Sequence, residues 1–236
     1  MKRRLAIIPA RGGSKRIPNK NIKSFVGKPM IEYIIDSAFS SKLFDKIHVS
    51  TDSIEIKEIA TKECKASVDF LRPDYLSDEF TPLMPVLKYV VEKLEIEFDL
   101  VYDEIWLLMA CSPLVSTNDL LNAADFYIQN GANKSMIAVC ELPVPVEWAM
   151  KVNKKNELLP LVEGGFAKRS QDLGKSYFDC GIFSVYNPDI IKKSEGAGDL
   201  INYIGFIYPK YKTIDIDTFE DWKHAENLYK IINQLS

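Results

Sequence analysis

Arg11, Lys15, Arg16 and Lys20 fall within ten residues, beside Gly12 and Gly13, with Pro9 before them and Pro18 ahead of Lys20. This combination could hold a polyphosphate. Glycines can take positive φ and bring backbone N–H groups close to an anion, while the prolines stiffen the ends of the turn. The spacing is not a Walker A loop, and no G-x-G-x-x-G is present. A solvated basic loop is the plain alternative, but charge asymmetry argues against it. Residues 1–31 carry nine Lys or Arg and no acid, which leaves the rest at net −12 within a whole-chain −3. A local positive field in an acidic protein suits a small anionic ligand better than nucleic acid.

Asp215 and Asp217 are the clearest carboxylate pair. Two apart on a strand, they project to one side while Ile214 and Ile216 turn to the core. Such a pair repels itself unless a cation intervenes, and Mg²⁺ accepts one or two carboxylates plus phosphate and water oxygens. Asp217 as a plain helix cap is the competing reading. Arg72 precedes Pro73 at the end of an expected strand, where α/β sheets bind ligands, though it could equally lie on the surface. Ser50, Thr51 and Asp52 are placed similarly, with helix capping their expected job. Arg169 and Gln171 offer forked donors and an amide suited to a carboxylate and hydroxyls; a salt-bridged hinge is the alternative. His48 and His224 are the chain's two histidines, expected on the surfaces of a strand and a helix and not as bases, so the chemistry is expected to rest on carboxylates, cations and metal. Cys64, Cys111, Cys140 and Cys180 lack metal-ligand spacing and read as buried reduced thiols.

These residues need a scaffold. Continuous apolar runs at 5–9, 47–50, 68–71, 104–109 and 135–141 read as strands. Residues 29–40, 54–63, 82–96 and 117–129 read as helices between them. The alternation predicts a doubly wound, mostly parallel α/β sheet with right-handed crossovers. It breaks after Glu141: 142–165 reads as a protruding flap or dimerisation excursion from a single domain spanning 1–236. A strand is expected over 181–186, a surface loop at Gly196, Ala197 and Gly198, and a strand over 213–217. A closing helix over 218–234 would bury Phe219, Trp222, Leu228, Ile231 and Leu235.

Hydrophobic residues make up 47% and charged residues 27%, ordinary for a domain with a full core. No apolar run reaches the roughly 18 residues that span a bilayer, and no signal peptide is expected. A cytoplasmic protein without membrane or nucleic-acid partners follows.

The run from Ala10 to Asn21 resembles the N-terminal signature of the CMP-sugar synthetases, cytidylyltransferases that activate nonulosonic acids. That resemblance implies a Rossmann-like nucleotidyltransferase fold. It brings Ala10, Arg11, Gly12, Gly13, Ser14, Lys15, Lys20 and Asn21 to the CTP triphosphate, with Arg11, Lys15 and Lys20 assisting catalysis. Asp215 and Asp217 match the family's Mg²⁺ motif, Asp217 more strongly. Arg72 and, more weakly, Thr81 match positions on the cytidine side. Residues 107–114 keep Ser112, Pro113 and Leu114, but Met109 and Ala110 replace the Gln-Pro of sialic-acid enzymes and Val115 an Arg. The pattern through Arg169, Gln171, Tyr177, Asp179 and Gly181 resembles the pseudaminic acid branch, implying that Arg169, Gln171 and Asp179 contact a nine-carbon α-keto acid sugar. CMP-sialic, CMP-legionaminic and CMP-octulosonic acid synthetases are the alternatives, and an inactive nucleotide-binding regulator is an alternative of another class. A homodimer through roughly 142–165 is implied. No general base stands out.

Overall fold

The computed structural model describes residues 2–196 and 202–234. The chain runs β1 (Arg4–Pro9), β2 (Ser24–Phe25), β3 (Lys28–Pro29), α1 (Met30–Ser41), β4 (Lys46–Ser50), α2 (Ile54–Thr61), α3 (Leu83–Phe98) and β5 (Glu104–Leu108). Then come α4 (Thr117–Gln129), β6 (Ser135–Glu141), β7 (Met150–Val152), β8 (Leu158–Pro160), β9 (Tyr177–Tyr186), α5 (Pro188–Lys193), β10 (Tyr203–Ile207) and α6 (Phe219–Ile232). Six strands form one sheet in the order β10-β6-β9-β5-β1-β4. The pairs β1–β4, β1–β5 and β6–β10 are parallel, while β9 lies antiparallel between β5 and β6. The expected doubly wound, mostly parallel sheet is what forms.

The alternation of a strand's side chains builds two cores from one segment. Along β1, Ala6 and Ile8 join Ile34, Val49, Trp106 and Leu120 on one face of the sheet. Leu5 and Ile7 join Leu87, Val90 and Ile105 on the other, beneath α3. Both faces of β1 are dry, which is why it reads as an unbroken apolar run.

A third, smaller core matters most for function. Ile17 from the cationic loop, Phe25, Met30 and Tyr33 pack with Ile216, Trp222 and Ala225. Phe25 sits edge-on to Tyr33, Trp222 and Tyr229 at centroid distances of 5.3, 5.4 and 5.8 Å. Burying an Ile side chain stabilises by about 1.5–3 kcal/mol, so Ile17 and Ile216, both essentially inaccessible, hold two distant stretches of chain together.

Several expectations change. Residues 68–71 do not form a strand: a single parallel bridge joins His48 to Ser67. Asp69 turns back to Lys46 and His48, both at 2.9 Å, which takes the backbone away from the sheet edge. Residues 213–217 are extended but have no strand partner. The sixth strand is instead Tyr203–Ile207, beside β6. β9 starts at Tyr177, earlier than the expected 181. Trp222 and Ala225 are the buried residues of α6, whereas Phe219 and Ile231 are exposed; Leu235 lies outside the described residues, as do Ala197 and Gly198. His48 is fully buried, because Phe70 covers its ring at 4.8 Å. Cys64 is exposed.

Candidate active site

A cavity of about 580 Å³ opens at the carboxyl ends of β1, β4 and β5, the rim where parallel α/β sheets bind ligands. Arg11, Ser14, Lys15, Arg16, Lys20 and Asn21 line it from the loop after β1. Arg72 lines it from beyond β4, and Asp78, Glu79 and Thr81 from the loop before α3. Met109 to Ser112 follow β5, with Gly181 and Asp215 closing the far side. Residues 200 positions apart in sequence thus face one space, as the third core requires.

The loop is tethered along its length. Ala10 is buried and its N–H donates to the Ser50 carbonyl at 2.9 Å, extending the strand pairing by one bond. Gly12 N–H donates to Asp52 Oδ1 at 2.8 Å, so Asp52 anchors the loop, and Ser53 caps α2 in its place. Neither Gly12 nor Gly13 adopts positive φ. Gly12 is needed for another reason: a Cβ there would stand 3.1 Å from Ser53 Cβ. Gly13 faces open space. The Asn21 side-chain amide donates to the Arg11 carbonyl at 2.9 Å and its Oδ1 accepts from Cys111 Sγ at 3.2 Å, tying the loop's end to the segment after β5. Burial pushes the Cys111 thiol up to about 11, so it stays neutral beside the ligand space.

The carboxylates divide their work. Asp215 is exposed into the cavity, and partial burial together with the neighbouring Asp217 charge raises its carboxyl above the ordinary value. Asp217 Oδ1 pairs with Arg16 at 2.8 Å and with Lys20 at 3.5 Å. Lys20 also donates to the Ile216 carbonyl at 2.6 Å. The cap of α6 is Thr218, reciprocated by Asp221, so Asp217 is not a helix cap. Asp215 at the cavity and Asp217 two residues on are hard oxygen donors of the kind that would hold Mg²⁺. Among the described residues no larger His, Cys, Asp or Glu cluster forms an all-protein metal cage.

Arg72 is buried, not a surface residue. Its Nε donates to Ser50 Oγ at 3.1 Å, and its N–H bonds the Thr51 carbonyl at 2.7 Å. Burial lowers its guanidinium to about 10, which leaves it charged at neutral pH. Thr81 Oγ1 donates to Asp78 Oδ1 at 2.8 Å.

Arg169 and Gln171 are not brought to the cavity. Arg169 is 78% exposed, and its fork is occupied by Asp172 at 2.8 and 3.0 Å. Asp179 lines an adjoining space of about 260 Å³, largely apolar, which shares Leu83, Met109 and Gly181 with the main cavity. The loop anchor Asp52, the pairing of Arg16 with Asp217 and the position of Glu79 were not read from the sequence. The acid-free N-terminal stretch was a usable signal for Arg16; no local pattern marks the other two.

Residues 5–162 match the family model described as cytidylyltransferase. The chain is 37% identical over 233 residues to a pseudaminic acid cytidylyltransferase of Campylobacter jejuni, covering 96% of each. It is 34% identical to a Helicobacter pylori protein named pseudaminic acid cytidylyltransferase and UDP-2,4-diacetamido-2,4,6-trideoxy-beta-L-altropyranose hydrolase, covering 81% of this chain and 36% of that one. A solved CMP:2-keto-3-deoxy-manno-octonic acid synthetase, complexed with CTP, superposes with a TM-score of 0.69 at 19% identity over 99% of this chain and 100% of that one, a likeness of fold.

Proposed function

The chain belongs to the cytidylyltransferase family, and from that premise we propose that it transfers CMP from CTP to a nonulosonic acid, pseudaminic acid being the acceptor, and releases pyrophosphate. The observation that carries this reading is the convergence of the cationic loop with Asp215 in one cavity, with Asp217 paired to the loop's Arg16 and Lys20, through Ile17 and Ile216 in a shared core.

An acceptor hydroxyl attacks the α-phosphorus: a new O–P bond forms as the bond to the pyrophosphate oxygen breaks, and the hydroxyl proton passes to water. Negative charge grows on the leaving group, and Arg11, Lys15 and Lys20, which line the loop side of the cavity, would neutralise it. Arg72 and Thr81 take the cytidine side. Asp215 and Asp217 would hold Mg²⁺, which when bound polarises phosphate oxygens and lowers the pKa of a coordinated hydroxyl. Arg16 and Lys20 already sit on Asp217, so that carboxylate's charge is neutralised before substrate arrives.

The acceptor then lies at the β5 and β9 end, where the apolar annex lined by Leu107, Met109 and Phe183 suits acylamido or deoxy substituents, with Asp179 at its edge. Arg169 and Gln171 would serve the acceptor carboxylate and hydroxyls, and a homodimer through the excursion would supply their setting. Exposed Val152, Leu158, Leu159 and Phe166 support such an interface. We place the reaction in the cytoplasm, where CTP is available; no described helix is long and apolar enough to cross a membrane.

The test is pyrophosphate release with CTP, Mg²⁺ and pseudaminic acid. Turnover is expected there and weaker with N-acetylneuraminic acid; no turnover with any nonulosonic acid would sink the reading. Light scattering at micromolar concentration should give twice the monomer mass.

A further inference from the structure

One contact crosses the nucleotide cavity and has no place in the chemistry above. Lys15 Nζ donates to Glu79 Oε1 at 2.6 Å. Lys15 belongs to the loop after β1 and Glu79 to the loop before α3, so the pair joins opposite banks of the same space. A carboxylate facing the position assigned to a polyphosphate is electrostatically wrong for ligand binding, and it therefore calls for an account.

Glu79 is placed for this contact by its neighbour. Asp78 Oδ1 accepts from Phe80 N–H at 2.9 Å, Thr81 N–H at 2.7 Å and Thr81 Oγ1 at 2.8 Å, which pins the turn. Glu79 is left pointing across the opening, with Lys15 as its one hydrogen-bond partner among the described residues. The pair is wet: the Lys15 side chain is 70% exposed and that of Glu79 36%. Exposed ion pairs contribute at most about 1 kcal/mol, whereas a phosphate oxygen on an ammonium makes a stronger, charge-assisted bond. A triphosphate can therefore displace Glu79, but Glu79 remains a resident competitor for the same ammonium.

We propose that Glu79 is a product-release residue: it competes with bound phosphate for Lys15 and retakes that side chain as pyrophosphate leaves. The inference rests on the nucleotide reading given above. Its consequence is an affinity for pyrophosphate held below what the loop's cations alone would give, which limits product inhibition.

Calorimetric titration of the intact protein with pyrophosphate, and separately with CTP, tests it. E79Q keeps the side chain's shape and removes its charge, and should bind pyrophosphate about two- to five-fold more tightly. In a K15Q background the same change should have no further effect, because the contact it relieves is already gone. Unchanged affinity in E79Q overturns the proposal. So does a tightening that persists undiminished with K15Q, since that would be general charge repulsion. A wild-type chain that binds neither CTP nor pyrophosphate removes the nucleotide reading, and this inference with it; one that binds both while E79Q matches it removes this inference alone.

Discussion

Two cation-bearing stretches, 10–21 and 168–179, were both expected at the site, and they are built in opposite ways. The first is stitched into the fold. Ile17 is inaccessible, Ile31 N–H bonds the Asn21 carbonyl at 2.8 Å, and Asp52 and Asn21 fix its turn. The second carries Arg169, an exposed side chain whose partner Asp172 is three residues away. Its backbone bonds over 169–173 are local turns. Each stretch has one aliphatic residue between its cations, but Ile17 of the first is fully buried while Leu173 of the second is only partly so. A cation is placed by the core its own loop can reach. Arg169 has only its neighbour Asp172, so its placement must come from substrate or another chain.

This contrast can be broken by mutation. The largest effect should come from Lys20→Ala, which removes a loop cation and its hold on the Ile216 carbonyl together. It should lower kcat/KM for CTP by about 100- to 1,000-fold, read as pyrophosphate release; normal turnover would remove Lys20 from the triphosphate site. Next, Arg169→Ala should raise the acceptor KM by about ten-fold or more and leave the CTP KM and the melting temperature unmoved. A change in CTP KM instead would erase the division between the two stretches. Asp52→Ala frees Gly12 N–H and should raise the CTP KM by about five- to ten-fold, with no change in the acceptor KM.

The smallest effect concerns the support behind Arg72. Burial holds the His48 imidazole below its ordinary 6.5, against the opposing pull of Asp69. Burial pushes the Asp69 carboxyl up, but hydrogen bonds from His48 and Lys46 outweigh it and hold it well below 3.8. As pH falls through 6.5 the unfolded chain takes up the histidine proton first, so stability is full above that value and declines below it. The melting temperature should drop by about 2–4 °C for each kcal/mol lost, and His48→Gln should flatten the profile between about pH 7 and pH 5. An unchanged slope in that variant would show that His48 is not the titrating group.

Much of the fold was legible because its signals are local. The runs 104–109 and 135–141 and the helix 117–129 follow from apolar periodicity, and the structure adds a capping box of Ser116 with Asp119. The sixth strand was not legible: Tyr203–Ile207 alternates partly exposed positions at a sheet edge. The expected strand at 213–217 kept its alternation, with Ile216 inside and Asp215 outside, but found no neighbour to bond. In the site, the position of Arg72 after the expected 68–71 strand pointed to the cavity even though that strand does not form, and did not point to its burial against Ser50. Glu79 and Asp52 were hidden because their meaning lies wholly in a partner more than thirty residues away.

The antiparallel strand β9 also sets the order in which the molecule can be assembled. It bonds β5 on one side and β6 on the other, yet both neighbours leave the ribosome before it. β1, β4 and β5 can collapse early as a three-stranded sheet under α1 and α3. The β6 strand has no edge to join until the excursion has been synthesised and β9 slots between them. Long-range pairing of this kind slows folding and leaves a hydrophobic edge exposed while the chain waits. The excursion thus acts as a tether whose length governs how long nascent β6 remains vulnerable to aggregation.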